Sequence, residues 1–188
     1  MVYVYDPYGV FIQATDGSLI SEDDWDGSKT PNGIAVITDN CSFVIALQNA
    51  CQTGCRWSTY ATEVSGISTT TDRTVAITYY DGESQTTTLI NQLGSEAVAA
   101  NYCRNFTFPN GMQGYLGAAG EWQAALDNKD IIVSALNKCG GNAIPSTCWT
   151  STQNGVNRSW SAMWSLNTIG TSGKTSNTGA YVRAFAPI

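Results

Sequence analysis

The rhythm of apolar and polar positions changes along the chain from strand-like to helical and then back to strand-like. Residues 9–13 predict a strand, and the turn-forming residues at 15–18 predict where it ends. Residues 33–37 and 43–47 are apolar, β-rich runs joined by a short polar stretch, which predicts a buried hairpin. From 51 to 80 the chain is rich in Thr, Ser and Gly with few apolar anchors, and we expect irregular structure there.

The middle of the chain has helical spacing. Residues 81–83 open a stretch in which apolar residues recur every three to four positions, with a break at Gly94. A second helix is predicted at 118–128. A third is predicted at 130–138, with Asp130 as its N-cap and a following glycine pair as its stop.

The last part of the chain returns to strand-like patterns, with short strands expected around 148–151, 160–166 and 181–186. This order predicts an α+β fold with an antiparallel sheet, two or three helices and long loops, and not an alternating βαβ arrangement. A chain of 188 residues that is 43% hydrophobic suits one core, so we expect a single domain over 1–188.

Charge and composition narrow the classes of function. The chain contains no histidine, which excludes Ser-His-Asp triads, Cys-His dyads and His-ligated zinc. Its net charge of −6 argues against nucleic acid as a partner, because such binding neutralises phosphates with basic side chains. No run of residues is long and apolar enough for a membrane span, and residues 1–9 lack the pattern of a leader segment.

The charge is unevenly distributed. All acidic residues lie at or before Asp130, so the chain up to that point carries −10 and the remainder carries +4. Between 150 and 178, Ser, Thr and Asn fill 16 of the 29 positions, and tryptophans interrupt the run. Aromatic residues interleaved with small polar ones are typical of adaptable binding surfaces. A loop-rich β region with a few core tryptophans is the alternative interpretation.

Six cysteines raise the question of a disulfide framework. Cys51 and Cys55 flank one short loop, Cys139 and Cys148 flank another, and Cys41 and Cys103 lie where core residues are expected. The pairing cannot be deduced from spacing. A Cys₄ zinc site is disfavoured because no CxxC pair occurs.

Acidic residues offer two further candidates. Glu22, Asp24 and Asp26 imitate the start of a calcium loop, but the position of the bidentate glutamate is occupied by Gly33, which favours a solvated turn. Glu121 is expected to accept hydrogen bonds from loop amides or from the guanidinium of Arg183. No nucleophile–base pair, phosphate loop or second convergent carboxylate is evident, so we expect no enzyme, metal or cofactor.

Several short motifs occur in a characteristic order along nearly the whole chain. They are Gly33-Ile-Ala-Val-Ile37, Asp39-Asn-Cys-Ser-Phe-Val-Ile-Ala-Leu47, Tyr102-Cys-Arg-Asn-Phe106, Gly114-Tyr-Leu116, Gly120-Glu-Trp-Gln123, Cys148-Trp-Thr-Ser-Thr-Gln153 and Tyr181-Val-Arg-Ala-Phe185. Together they resemble the C-type-lectin-fold proteins of gut bacteria and their phages, in the subgroup like formylglycine-generating enzymes. Many of those proteins are targets of diversity-generating retroelements. The resemblance implies N- and C-terminal strands that lie side by side, helices packed on the sheet, and a variable ligand-binding region at about 149–180.

In such targets, adenine-directed mutagenesis rewrites chosen codons, and an AAC or AAT codon altered at its first two positions never encodes Trp, Gln, Lys or Glu. The resemblance therefore implies that Trp149, Gln153, Trp160, Trp164 and Lys174 are fixed. Met163 does not fit such a codon either. The residues expected to be displayed to a ligand are Asn154, Val156, Asn157, Arg158, Ser161, Met163, Ser165, Asn167, Thr168 and Thr171.

The chain departs from the resemblance in places. The calcium and sugar motifs of animal C-type lectins are absent, and nothing matches the catalytic cysteine region of the formylglycine-generating oxidases. We therefore expect a non-enzymatic protein of a bacterial cell surface or phage particle. Its expected partner is an unknown protein or glycan receptor on a cell surface, with no nucleic acid and no membrane insertion. A fixed adhesin or structural domain with the same fold is the alternative.

Overall fold

The computed structural model describes residues 8–176 and 180–188; residues 1–7 and, within the expected ligand-binding region, 177–179 lie outside the described residues. Two 3₁₀ turns, Gly94–Glu96 and Trp164–Leu166, accompany the regular elements. In chain order these elements are β1 (Gly9–Ala14), β2 (Leu19–Ile20), β3 (Pro31–Ile37), β4 (Ser42–Asn49), α1 (Arg73–Ala76), α2 (Gly82–Leu93), α3 (Val98–Arg104), β5 (Tyr115–Leu116), α4 (Ala119–Asp127), α5 (Lys129–Lys138), β6 (Cys148–Gln153), β7 (Arg158–Met163), β8 (Thr168–Gly173) and β9 (Arg183–Ala186).

Six strands form an antiparallel sheet in the order β2-β1-β3-β4-β9-β5. The predicted hairpin is confirmed, with Ile34 opposite Ile45 and Val36 opposite Phe43. The expectation of adjacent N- and C-terminal strands is wrong for the described strands, because β1 pairs with β2 and β3 whereas β9 pairs with β4 and β5. β3 and β4 are apolar on both faces, so they occupy the centre of the sheet and separate the first strand from the last.

Helices cover both faces of this sheet. Alternate residues of its central strands point to opposite faces, and the residues on both faces are apolar and buried. Ile34, Val36 and Phe43 belong to a core cluster shared with α4 and α5. Ala35 and Val44 belong to a second cluster shared with α2 and α3. The α+β class is therefore confirmed.

The helices follow the predicted pattern in part. The break at Gly94 is confirmed, since α2 ends at Leu93 and Gly94 has a φ of 56°. The described residues form five α-helices, more than the two or three expected, because this break separates α2 from α3 and because α1 lies in the otherwise irregular 51–80 segment. Asp130 is not the N-cap of α5, because the helix begins at Lys129. Asn128 is both the C-cap of α4 and the N-cap of α5.

A second antiparallel sheet has the order β6-β7-β8. β7 ends at Met163, and a 3₁₀ turn replaces the rest of the strand expected over 160–166. β8 was not predicted, because its sequence contains a single apolar side chain, Ile169, among Thr, Ser and Gly. It forms through six consecutive residue pairs with β7, which start at the tight turn between them.

All six cysteines are free thiols, so neither short loop is closed by a disulfide. The carboxylates of the calcium-like segment bind protein groups, with Glu22 on Ser134 and Lys138 and with Asp26 on the Ser28 amide. Within residues 8–176 and 180–188, no group of three or more acidic, cysteine or histidine side chains could hold a metal ion. The same residues include no helix with the length and apolar character needed to cross a membrane.

Candidate functional site

The β6–β8 sheet is attached to the long 51–72 segment by buried tryptophans that bind backbone carbonyl groups. The indole Nε1 of Trp149 donates to the carbonyl of Cys55 at 2.8 Å. Trp160 donates in the same way to Thr70 at 2.9 Å. In the opposite direction, Trp57 donates to the carbonyl of Thr150 at 2.8 Å. These three bonds fix the segment against the sheet.

Gln153 and Lys174 add a buried polar network. The Gln153 side chain donates to the Val64 carbonyl at 2.6 Å and accepts from the Val64 amide at 3.0 Å. Lys174 Nζ donates to Gln153 Oε1 at 2.7 Å and to the Thr62 carbonyl at 2.6 Å, and lies 4.4 Å from the centre of the Trp57 ring. Burial lowers the pKa of Lys174 to about 8. Both residues therefore hold the sheet in place.

The residues expected to be displayed differ in exposure. Ser161 is fully buried, which corrects its place in the set: its hydroxyl lies 3.1 Å from the Ser172 hydroxyl on the neighbouring strand. Met163, Asn154, Thr168 and Thr171 are half-buried. The exposed members are Val156, Asn157, Arg158, Ser165 and Asn167.

Two of the half-buried members contact neighbouring segments. Asn154 Nδ2 donates to the Thr70 carbonyl at 3.1 Å. The Met163 thioether covers Gly170, where an added Cβ would meet its sulfur at 2.6 Å. These two side chains support the sheet as well as forming part of its surface.

The exposed residues form two groups at opposite ends of the β7–β8 hairpin. Val156, Asn157 and Arg158 lie at the turn between β6 and β7, which we call the Arg158 end. Ser165 and Asn167 lie at the turn between β7 and β8, which we call the Asn167 end. Six-residue strands separate the two ends by about 17–20 Å.

An open cleft of about 450 Å³ lies at the Asn167 end, between Asn167 and the corner where α4 meets α5. Asp127, Lys129 and Asp130 line it. Lys129 Nζ donates to the Trp164 carbonyl at 2.6 Å and thereby joins α5 to the 3₁₀ turn. Asn167 has a left-handed backbone with φ 52° and ψ 47°, a conformation in which Asn is favoured over bulkier residues.

Leu166 and Arg73 contribute to the surface of the β6–β8 sheet, although neither is among the residues expected to be displayed. Leu166 is 70% exposed, the largest exposed fraction among the bulky apolar side chains of the described residues. The sequence signal for Leu166 is its place between Ser165 and Asn167, which are both expected to be displayed. Arg73 contacts β8 from 96 residues away in sequence, through a bond from its Nε to the Ile169 carbonyl, and local sequence carries no signal for that contact.

Glu121 accepts hydrogen bonds from loop groups, as predicted, but does not meet Arg183. Its carboxylate accepts from the Ala118 amide at 2.6 Å and from the Tyr115 hydroxyl at 2.8 Å. Burial raises the pKa of Glu121 to about 7, against the opposing effect of these hydrogen bonds. Arg183 donates instead to Asn49 Oδ1 at 2.8 Å and to the Asn142 carbonyl at 2.5 Å.

Comparison with known proteins identifies no matching family model, no matching curated protein and no matching solved structure.

Proposed function

We propose that this chain is a non-enzymatic binding protein whose ligand surface is the exposed part of the β6–β8 sheet. The observation that carries the proposal is the contrast within that sheet. Its tryptophans, Gln153 and Lys174 are buried against the rest of the molecule, whereas small polar residues of its turns are exposed. A rigid support beneath exchangeable side chains is suited to recognition, because substitutions at the surface leave the support unchanged.

The partner proposed is a protein or glycan receptor on a cell surface, bound by a protein of a bacterial cell surface or a phage particle. This rests on the resemblance to C-type-lectin-fold targets of diversity-generating retroelements. The order of motifs supports that fold, and the separation of β1 from β9 counts against one of its expected features. In this proposal the diversified codons are those of the exposed residues at the Arg158 end and the Asn167 end.

A fixed adhesin or structural domain is the second candidate, and a specific contact favours it. Arg158 Nε donates to Thr171 Oγ1 at 2.9 Å and Asn154 binds Thr70, so residues expected to vary also make bonds within the protein. A surface with fixed residues keeps these hydrogen bonds, whereas diversification of the same residues would remove them.

Sequencing of the gene's surroundings distinguishes the two candidates. Diversification requires a neighbouring reverse transcriptase gene and a near-copy of the 3′ end of this gene that differs from it at adenines. We expect those differences to fall in the codons of Val156, Asn157, Ser165 and Asn167. A locus without such a copy would exclude diversification and leave the fixed binding protein.

Binding itself is tested with fluorescently labelled protein on a panel of intact bacterial cells. The surface variant combines Val156→Ser, Asn157→Ala and Ser165→Ala. The matched control combines Ser84→Ala, Asn91→Ala and Ser95→Ala, three exposed positions in and beside α2. We expect binding to a subset of cells that the surface variant loses and the control retains. Equal binding by all three proteins, or no binding to any cell type, contradicts the proposal.

A further inference from the structure

β8 is an open edge of its sheet. β6, the opposite edge strand, is bridged to Thr69 and Tyr181, whereas β8 pairs only with β7 among the described residues. The Lys174 amide donates to the Asn157 carbonyl, which sets the alternation of the antiparallel ladder. The backbone N–H and C=O groups of Ile169 and Thr171 therefore point away from β7, towards the free edge.

Two arginines occupy the carbonyl groups of this edge. Arg73 Nε donates to the Ile169 carbonyl at 3.2 Å, and Arg158 Nη2 donates to the Thr171 carbonyl at 2.7 Å. These carbonyls belong to residues two apart in one strand and are separated by about 7 Å. Two guanidinium groups thus lie side by side along the edge, with the Thr171 amide between their acceptors.

Neither guanidinium is neutralised by a described residue. The ion pairs of the described residues join Lys29 to Asp16 and Lys138 to Glu22. The nearest acid in sequence, Asp72, is occupied by the amide and hydroxyl of Thr74. Both arginines are exposed, and the chain after Asp130 has no acidic residue, so this edge carries unpaired positive charge on a protein whose net charge is −6.

We propose that the Arg73–Arg158 edge of β8 binds an acidic, extended peptide segment of a partner protein. The inference rests on the proposed function, since it assigns a ligand chemistry to the β8 edge of the same sheet. Carboxylates of the segment pair with the free N–H groups of both guanidiniums, the geometry in which Arg binds carboxylate best. A backbone carbonyl of the segment accepts from the Thr171 amide, as when a strand adds to a sheet edge.

The edge favours a peptide over an anionic glycan. A strand edge presents N–H groups at the spacing of another strand's carbonyls. The tryptophans of this sheet, which could stack on a sugar ring, are buried: Trp149, Trp160 and Trp164 are at most 5% exposed.

The test is fluorescence anisotropy of a labelled hexaglutamate peptide at low ionic strength, with a hexaglutamine peptide for comparison. The variants are Arg73→Gln, Arg158→Gln and their combination, and the matched control is Arg104→Gln, an arginine of α3 that binds Thr87. A melting curve of each variant checks that it folds. Both edge side chains are exposed and donate hydrogen bonds to β8, so we expect unchanged folding.

We expect hexaglutamate to bind and hexaglutamine not to bind. Each single variant should weaken binding about three- to five-fold, and the double variant about ten-fold or more, because exposed ion pairs contribute modestly. Added salt should weaken binding to the native protein. Arg104→Gln should bind like the native protein.

The proposal is overturned if hexaglutamate does not bind or binds the double variant equally well. It is also overturned if a sulfated hexasaccharide binds through the two arginines and hexaglutamate does not, which would assign the edge to an anionic glycan. If cells are still bound through Val156, Asn157 and Ser165 while hexaglutamate fails, only the edge site is wrong. If the cell panel fails and hexaglutamate binds through the arginines, the edge site stands without the wider surface.

Discussion

Glu121 is a buried carboxylate at the start of α4, and no described lysine or arginine forms an ion pair with it. Its partners are the Tyr115 hydroxyl and the Ala118 amide. Burial raises its pKa from 4.5 to about 7, so the folded protein binds this proton more tightly than the unfolded chain does. The contribution of Glu121 to stability is therefore fully present below pH 4.5 and is lost as the pH rises through about 7.

Glu121→Gln should remove this pH dependence, because the amide stays uncharged and keeps an acceptor for the Ala118 amide. The unfolding free energy of the variant minus that of the native protein should rise by about 3 kcal/mol from pH 4 to pH 8. Urea unfolding across that range measures the difference. Glu83→Gln, an exposed glutamate of α2, is the control and should show no comparable gain. A difference between Glu121→Gln and native protein that does not change with pH would contradict the assignment.

Gln153 binds both backbone groups of Val64 and also Lys174. Gln153→Ala removes these partners of the Val64 amide and carbonyl and one of the two acceptors of Lys174, which keeps the Thr62 carbonyl. We expect a loss of about 3 kcal/mol or more in unfolding free energy, measured by urea denaturation. Gln92→Ala is the control, since exposed Gln92 binds the Ser65 carbonyl of the same segment. Its cost should stay within about 0.5 kcal/mol. Similar costs for the two variants would mean that Gln153 does not hold the segment.

At the scale of elements, α4 begins in direct contact with the chain that leads into α2. The Gly120 amide donates to the Tyr79 carbonyl at 2.9 Å. A Cβ on Gly120 would lie 2.5 Å from that carbonyl oxygen and 2.8 Å from the carbonyl oxygen of Ile77. Backbone atoms cannot move aside as a flexible side chain can, so only glycine permits this approach.

Gly120→Ala should therefore destabilise the protein by about 2 kcal/mol or more, and its melting temperature should fall. Gly173→Ala is the control, because a Cβ there meets nothing within 4 Å and Gly173 has no positive φ. A thermal melt of both variants gives the comparison. An unchanged melting temperature for Gly120→Ala would show that the two segments separate without cost.

The elements that sequence predicts well are those specified locally. The β3–β4 hairpin follows from two apolar runs around a polar turn, and the end of α2 follows from Gly94. β8 could not be predicted because its partner strand, and not its own residues, makes it a strand. The positions of β1 and β9 within the sheet depend on competition among strands far apart in sequence, which no local pattern records.

The candidate site was predictable to a similar extent. The resemblance implies fixed tryptophans with small polar residues displayed between them, and Trp149, Trp160 and Trp164 are buried while several of the turn residues are exposed. Ser161 looks like its exposed neighbours in sequence but faces Ser172 inside the sheet. Arg73 belongs to the surface only because α1, which follows the 51–72 segment, lies beside β8.

At the scale of the whole molecule, the six thiols are distributed between interior and surface. Cys51, Cys55, Cys103 and Cys148 are buried, and Cys41 and Cys139 are half-buried. Burial raises the pKa of Cys139 to about 11 and that of Cys148 to about 12. These two thiols should therefore react slowly near neutral pH, because the thiolate is the nucleophile.

Alkylation by iodoacetamide without reductant, followed by intact mass measurement, tests this distribution. We expect at most the two half-buried thiols to react in the native protein, and all six to react in guanidinium chloride. Cys41→Ser combined with Cys139→Ser should abolish the native reaction. Fewer than six additions to the unfolded native sequence would reveal a disulfide and contradict the free-thiol assignment.

The attachment of the β6–β8 sheet has a consequence for how the gene can change. Trp149, Trp160 and Lys174 donate to the carbonyl oxygens of Cys55, Thr70 and Thr62, which are backbone atoms. Every residue type supplies that oxygen, so positions 55, 62 and 70 can be substituted without losing these acceptors. The donors have no such freedom. Relatives of this protein should therefore vary at positions 55, 62 and 70 and keep Trp149, Trp160 and Lys174.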